Sequence, residues 1–151
     1  MRVYRIIKCK FINDLSGNGV YANGGRWNSE GQYALYTAST ASLAMLETLA
    51  HLDIMPDGYC LACLNVPDTD LIEFSIELLP VNWQQFPAPI SLQSIGDQFL
   101  KRNKYLSIQF PSALLPEDKV ILLNPRHPKF SLVQFEYMRS LDISDRLHKK
   151  Q

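Results

Sequence analysis

The apolar residues of this chain fall mostly into short strand-length runs, each closed by glycine, proline, asparagine or aspartate. That punctuation limits the fold more than any other feature. Arg2–Lys8 opens the series, with Val3, Tyr4, Ile6 and Ile7 supplying β propensity. Tyr33–Thr37, Tyr59–Val66, Leu71–Ile76, Leu106–Phe110, Val120–Leu123 and Leu132–Arg139 read as further strands. Two stretches have the length and pattern of a helix. One starts at a Ser39 or Thr40 cap and runs to Leu52, with Leu43, Leu46 and Ala50 as its apolar face. The other covers Leu92–Asn103 and tolerates Gly96. Segments 13–25 and 78–90 read as loops, and Asn124–Pro128 as a turn. Strands and helices do not alternate regularly, so the pattern predicts an α+β domain rather than a doubly wound parallel sheet.

The chain has 151 residues and shows no repeat, low-complexity tract or linker, which predicts a single domain over residues 1–151. Hydrophobic residues make up 46% and charged ones 20%, enough apolar material for a packed core. Fifteen Lys and Arg balance fifteen Asp and Glu. This balance gives no broad attraction to nucleic acid or to an anionic membrane, although a few arginines around one small anion remain compatible with it. The N-terminus lacks a signal-peptide pattern, and no apolar run approaches the ~20 residues that span a bilayer. The expected compartment is the cytoplasm. Three cysteines, an odd number, do not suggest a disulfide framework.

Several familiar chemistries do not fit. After Gly17-Asn18-Gly19 the third glycine of a dinucleotide fingerprint is misplaced, and the sequence shows no helix after it. Cys60 and Cys63 lie in a strand, where an odd offset sends side chains to opposite faces. With no second cysteine pair to complete a zinc site, both read as core residues. His51 reads as a helix-end residue, His127 as part of a turn and His148 as part of a fraying basic tail.

The segment of interest is Gly24-Gly25-Arg26-Trp27-Asn28, followed by Leu35-Tyr36-Thr37-Ala38 and Leu43-Ala44-Met45-Leu46-Glu47. Two glycines before Arg26 let the backbone turn sharply or approach a ligand. A guanidinium offers planar, multidentate donors suited to phosphate, though a lone arginine is more often a surface ion-pair residue. Glu47 sits in an otherwise apolar helical stretch. It lies either on a narrow solvated face or points into a site, and periodicity alone favours neither. Tyr36 by itself reads as a core aromatic.

Taken in order, these segments resemble the RES domain family, named for an arginine, a glutamate and a serine. The resemblance extends from Tyr4-Arg5-Ile6 through Ser16-Gly17 and the three segments above. It continues through Trp83, Ile95-Gly96-Asp97, Pro111-Ser112-Ala113, Leu123-Asn124-Pro125 and His127-Pro128 to Asp145-Arg146-Leu147. It implies a fold related to ADP-ribosyltransferases, with a split β-sheet and flanking helices holding NAD in a cleft. It also implies a bacterial toxin that cleaves the nicotinamide–ribose bond of NAD by hydrolysis or phosphorolysis, or that transfers ADP-ribose to a protein. The implied partner is an Xre-type helix-turn-helix antitoxin, and no metal is expected. By resemblance, Arg26, Glu47 and Ser112 are the family arginine, glutamate and serine. Tyr36 is the pocket tyrosine, and Arg5 takes an N-terminal arginine position that also faces the cleft. The short segment 53–58 is expected to leave one side of the cleft open.

Those residue types suit the chemistry. Breaking the glycosidic bond develops oxocarbenium character on the ribose. A carboxylate at Glu47 would stabilise that charge. Arg26, with Arg5 as second donor, would clamp the pyrophosphate. Tyr36 would stack on the nicotinamide, and Ser112 would bond its amide or orient Glu47. A ribonuclease or nucleic-acid-binding toxin fits the neutral charge poorly. A non-catalytic interaction module fits poorly with four such residues kept together.

Overall fold

The computed structural model describes residues 1–52 and 57–142. The Asp145-Arg146-Leu147 match, the tail with His148 and most of segment 53–58 lie outside the described residues. Among those described, seven strands form one sheet: β1 (Arg2–Lys8), β2 (Leu35–Ala38), β3 (Tyr59–Asn65), β4 (Leu71–Glu73), β5 (Ser107–Pro111), β6 (Lys119–Leu123) and β7 (Gln134–Ser140). Their order is β4-β5-β6-β2-β1-β3-β7. Three helices accompany them: α1 (Asn18–Asn23), α2 (Ala41–His51) and α3 (Ile90–Arg102). The fold is α+β, as expected. The sheet is mixed, because α3 serves as a crossover that leaves β4 parallel to β5.

The expected split lies between β1 and β2. They meet at one register position, Tyr4 opposite Ala38. On either side the pairing is extensive: β1 runs along β3 from Arg2↔Asn65 to Lys8↔Tyr59, and β2 pairs with β6 along its whole length. The sheet is therefore two halves, β4-β5-β6-β2 and β1-β3-β7, joined at a single bridge. One face carries a core of Val3, Leu35, Leu64, Leu106, Ile121 and Leu123. On the other face, α2 buries Leu43 and Ala44 against Ala38, Tyr4 and Ile6. Further along that face, α3, Trp27 and Trp83 cover Ile108, Phe110 and Leu122.

Several sequence expectations change. The loop assigned to 13–25 contains α1, and a short helix does follow Gly17, which caps it in the left-handed region at φ 79°. A Cβ on Gly17 would sit 2.8 Å from the Ala34 backbone, so close approach as well as conformation requires glycine. Thr40 caps α2 as expected, its hydroxyl accepting from Leu43 N at 3.0 Å. The inward face of α2, however, is Leu43 and Ala44, while Leu46 is 36% exposed and Ala50 is also exposed. Glu47 follows Leu43 by four residues and Ala44 by three, so it projects on the inward side. In α3, a Cβ on Gly96 would fall 1.6 Å from the Trp27 carbonyl oxygen, and only glycine lets this helix reach that loop. β4 stops at Glu73, short of Ile76. β7 begins at Gln134, after a 3-10 turn over Pro128–Leu132.

The cysteines also differ from expectation. Cys9 and Cys60 form a disulfide with Cα atoms 4.9 Å apart, because Ile7 pairs with Cys60 and the turn after β1 brings Cys9 back over β3. Cys63 is the free, buried one. The odd count hid a pair formed across the sheet.

Candidate active site

The site forms on the α2–α3 face, at the ends of β2 and β5. Tyr36 and Ala38 share that face of β2, and Ser112 follows β5 two residues after the inward-facing Phe110. α2 brings Glu47 over Ser112, and the Gly24–Asn28 loop brings Arg26 from the α3 side.

Ser112 is fully buried. Its hydroxyl oxygen accepts from Leu114 N at 3.1 Å and Leu115 N at 3.2 Å. With two acceptor positions used, the hydroxyl proton goes to the one remaining partner, Glu47 Oε1, at 2.7 Å. The serine is an obligate donor to the carboxylate. Oε2 of Glu47 has no hydrogen-bond partner among the described residues. Of the two readings open for Glu47, the inward one holds.

Arg26 is held by backbone. Its Nη1 donates to the carbonyls of Trp83 at 3.0 Å and Gln85 at 3.2 Å. Nε and Nη2 have no partner among the described residues. Burial pushes the guanidinium pKa down, while Glu47 and then Tyr36 pull it back up. Arg26 thus lies within electrostatic reach of the carboxylate without forming a salt bridge to it.

The loop that carries Arg26 is locked from beneath. The Tyr36 hydroxyl donates to Asn28 Oδ1 at 2.6 Å and accepts from Trp27 N at 2.9 Å. Burial raises the Tyr36 phenol well above its usual range, which keeps it a neutral donor. Asn28, fully buried, donates to the carbonyls of Val20, Ser29 and Gln32. Asp97 of α3 accepts from Ser29 N at 2.9 Å, and Gln93 donates to the Gly25 carbonyl at 3.1 Å. Trp27 stacks on Phe110 at 3.8 Å between ring centroids. A Cβ on Gly25 would meet the Tyr36 hydroxyl at 2.6 Å, so the double glycine serves a close approach to protein.

The structure brings Arg26, Tyr36, Glu47 and Ser112 together. It does not bring Arg5 to them. On β1, Arg5 faces away from Tyr4 and Ile6, on the side with Val3 and Ile7, and its Nη1 donates to the Asp14 carbonyl at 2.7 Å. Burial lowers its pKa and the Asp14 carboxylate opposes that. Sequence reasoning did not identify the anchoring roles of Asn28, Asp97 and the Trp83 and Gln85 carbonyls. Asn28, Trp83 and Asp97 stand within the segments that carried the resemblance, but nothing in their spacing indicates what they hold.

The profile of the RES domain matches residues 2–145. This chain belongs to the RES family. Its RES domain is 36% identical over 133 residues to Toxin Res of Yersinia enterocolitica, spanning 86% of this chain and 88% of that one. It is 34% identical over 143 residues to the Prs ADP-ribosylating toxin of Sphingobium sp. strain YBL2, spanning 91% and 89%. Its fold is similar to a chain of the M. tuberculosis MbcT–MbcA toxin–antitoxin complex, with a TM-score of 0.76 and 18% identity over 93% of this chain and 83% of that one.

Proposed function

We propose that this RES domain is the toxin of a toxin–antitoxin pair, and that its cleft binds NAD and breaks the nicotinamide–ribose bond. The observation that carries the reading is the Ser112–Glu47 pair: a carboxylate fixed at one oxygen by a buried obligate donor, with its other oxygen unpartnered, opposite a half-buried arginine. That arrangement matches a substrate whose ribose becomes cationic while its pyrophosphate stays anionic. The names of the toxin relatives support the toxin part of the reading.

In this reading the C1′–N bond breaks and its electron pair leaves with the nicotinamide nitrogen, whose positive charge is thereby cancelled. The leaving group departs neutral and needs no strong acid. Glu47 Oε2 bonds the ribose hydroxyls and stabilises the oxocarbenium ion. Arg26 keeps Nη1 on its two carbonyls and offers Nε and Nη2 to the pyrophosphate. Tyr36 fixes that loop through its hydroxyl and presents its ring to the nicotinamide. The oxygen of water, or of hydrogen phosphate, then bonds C1′, and the proton released from the attacking group passes to solvent. No metal is assigned a step. The partner would be an Xre-type antitoxin that covers the cleft.

A second reading, transfer of ADP-ribose to a protein, is favoured by the similarity to the Prs ADP-ribosylating toxin over most of the chain. Purified protein incubated with NAD, with and without phosphate, tests the first reading. Free nicotinamide with ADP-ribose or its 1-phosphate is the expected product set. Labelled NAD added to a lysate tests the second: label that follows a protein band rather than free ADP-ribose assigns transfer. NAD left intact in both experiments rejects both readings.

A further inference from the structure

We propose a second anion site, selective for phosphate, at the opposite end of β2, β5 and β6 from the Glu47 cleft, built on Arg126. A pocket of about 330 Å³ opens there between the C-terminus of α3 and the Asn124–His127 turn. Arg126, Lys101, Asn103, Tyr21 and Tyr33 line it. The register places it: Leu35, at the start of β2, pairs with Leu123, whereas Ser112 and Ala38 lie at the other ends of their strands.

The backbone that carries Arg126 is anchored on both sides. Its backbone N donates to Asn124 Oδ1 at 3.0 Å, and Asn124 is itself buried and donates to the Leu100 carbonyl and to Asn103 Oδ1. On the other side His127, also buried, accepts from Lys129 N. The guanidinium lies 4.2 Å over the Tyr33 ring, and Tyr33 stacks on Tyr21 with centroids 4.3 Å apart. A cation oriented by an aromatic stack has already lost part of the freedom that binding an anion would cost it. Yet this guanidinium makes no hydrogen bond or salt bridge among the described residues. Lys101, on the last turn of α3, is likewise unpaired there.

No carboxylate lines the pocket. Asp14 lies in the groove on the far side of Arg126 and already accepts from Ser16. Two unpaired cations, one a fixed planar fork, with a side-chain amide at Asn103, match the tetrahedral face of a phosphate better than a single carboxylate. The pocket also has room for more than the bare ion, with the edges of Tyr21 and Tyr33 beside it.

The test is a titration of ¹⁵N-labelled protein with sodium phosphate, AMP, succinate and sodium chloride at matched ionic strength. Arginine Nε–H, asparagine side-chain and backbone resonances are followed. Saturable shifts at Arg126 Nε–H, Asn103 and Lys101 are expected with phosphate, and their loss in Arg126→Gln. AMP binding more tightly than phosphate identifies a nucleotide as the occupant; equal binding identifies the free ion. Lys101→Gln, a surface change, should weaken the response severalfold even if Arg126→Gln disturbs the turn. Shifts no larger than with chloride, shifts that survive in both variants, or tighter binding of succinate would each overturn the proposal. The outcome is separable from the NAD reading, because Glu47→Gln should leave these shifts in place.

Discussion

The two halves of the sheet are stabilised in different ways. The β4-β5-β6-β2 half and its α3 layer hold Tyr36 and Ser112 and support the Arg26 loop through a dense set of hydrogen bonds: Tyr36 to Asn28 and Trp27, Asp97 to Ser29, Ser112 to Glu47. The β1-β3-β7 half contributes none of the four gathered residues. It carries a disulfide, Arg5 turned to the opposite face from the site, and a long antiparallel ladder. α2 spans the seam, packing Leu43 and Ala44 against residues of both halves. One half is therefore organised to fix polar groups, and the other to be a rigid wall against which α2 can place Glu47.

This division can be broken experimentally. The largest effect on stability is expected from Cys9→Ser. Its bridge closes a sequence separation of 51 residues, and losing a bridge of this kind costs about 3 kcal/mol. The melting temperature should fall markedly while the rate of NAD loss from folded protein stays unchanged. A parallel fall in rate would mean that the wall half is part of the catalytic machinery. Tyr36→Phe should come next. It leaves Asn28 Oδ1 and Trp27 N without partners in a buried place, for about 2 kcal/mol of stability, and it frees the Arg26 loop. Denaturant unfolding should show the first effect and a raised KM for NAD the second. Ser112→Ala should lower kcat about tenfold, or about 1.4 kcal/mol, with KM little changed, because it releases Glu47 without touching the arginine. The smallest effect is expected from Arg5→Gln, with KM unchanged. A severalfold rise would bring Arg5 into the cleft.

The parts of the fold that depend on local pattern were legible in the sequence. Thr40 announces α2, and the strand periodicity correctly sends Cys60 and Cys63 to opposite faces. What failed depends on long-range contacts. α1 is rich in Asn and Gly and has poor helix propensity, but it is held by Asn28 reaching the Val20 carbonyl from outside it. Leu46 looked like a core residue because spacing alone cannot say which of two adjacent helix stripes meets the sheet. The true stripe runs through Ala44 and Glu47, and this turns the acid inward. Gly96 looked like a weakness in α3 and is instead the contact point with Trp27. For the site, Arg26 and Glu47 stood out by residue type and setting, whereas Ser112 was reached through resemblance alone. The direction in which its hydroxyl donates is fixed by the turn at Leu114 and Leu115, which no spacing rule reveals.

The central claim is that Glu47, held by Ser112, stabilises the cation formed as NAD loses nicotinamide. The most direct measurement compares wild type with Glu47→Gln, a change that keeps shape and the Ser112 contact while removing the charge. The rate of nicotinamide release from NAD is followed alongside the melting temperature of each protein. The account predicts an unchanged melting temperature and a rate at least about two orders of magnitude lower, roughly 3 kcal/mol of lost transition-state stabilisation. Wild-type nicotinamide release by a folded Glu47→Gln protein would contradict it.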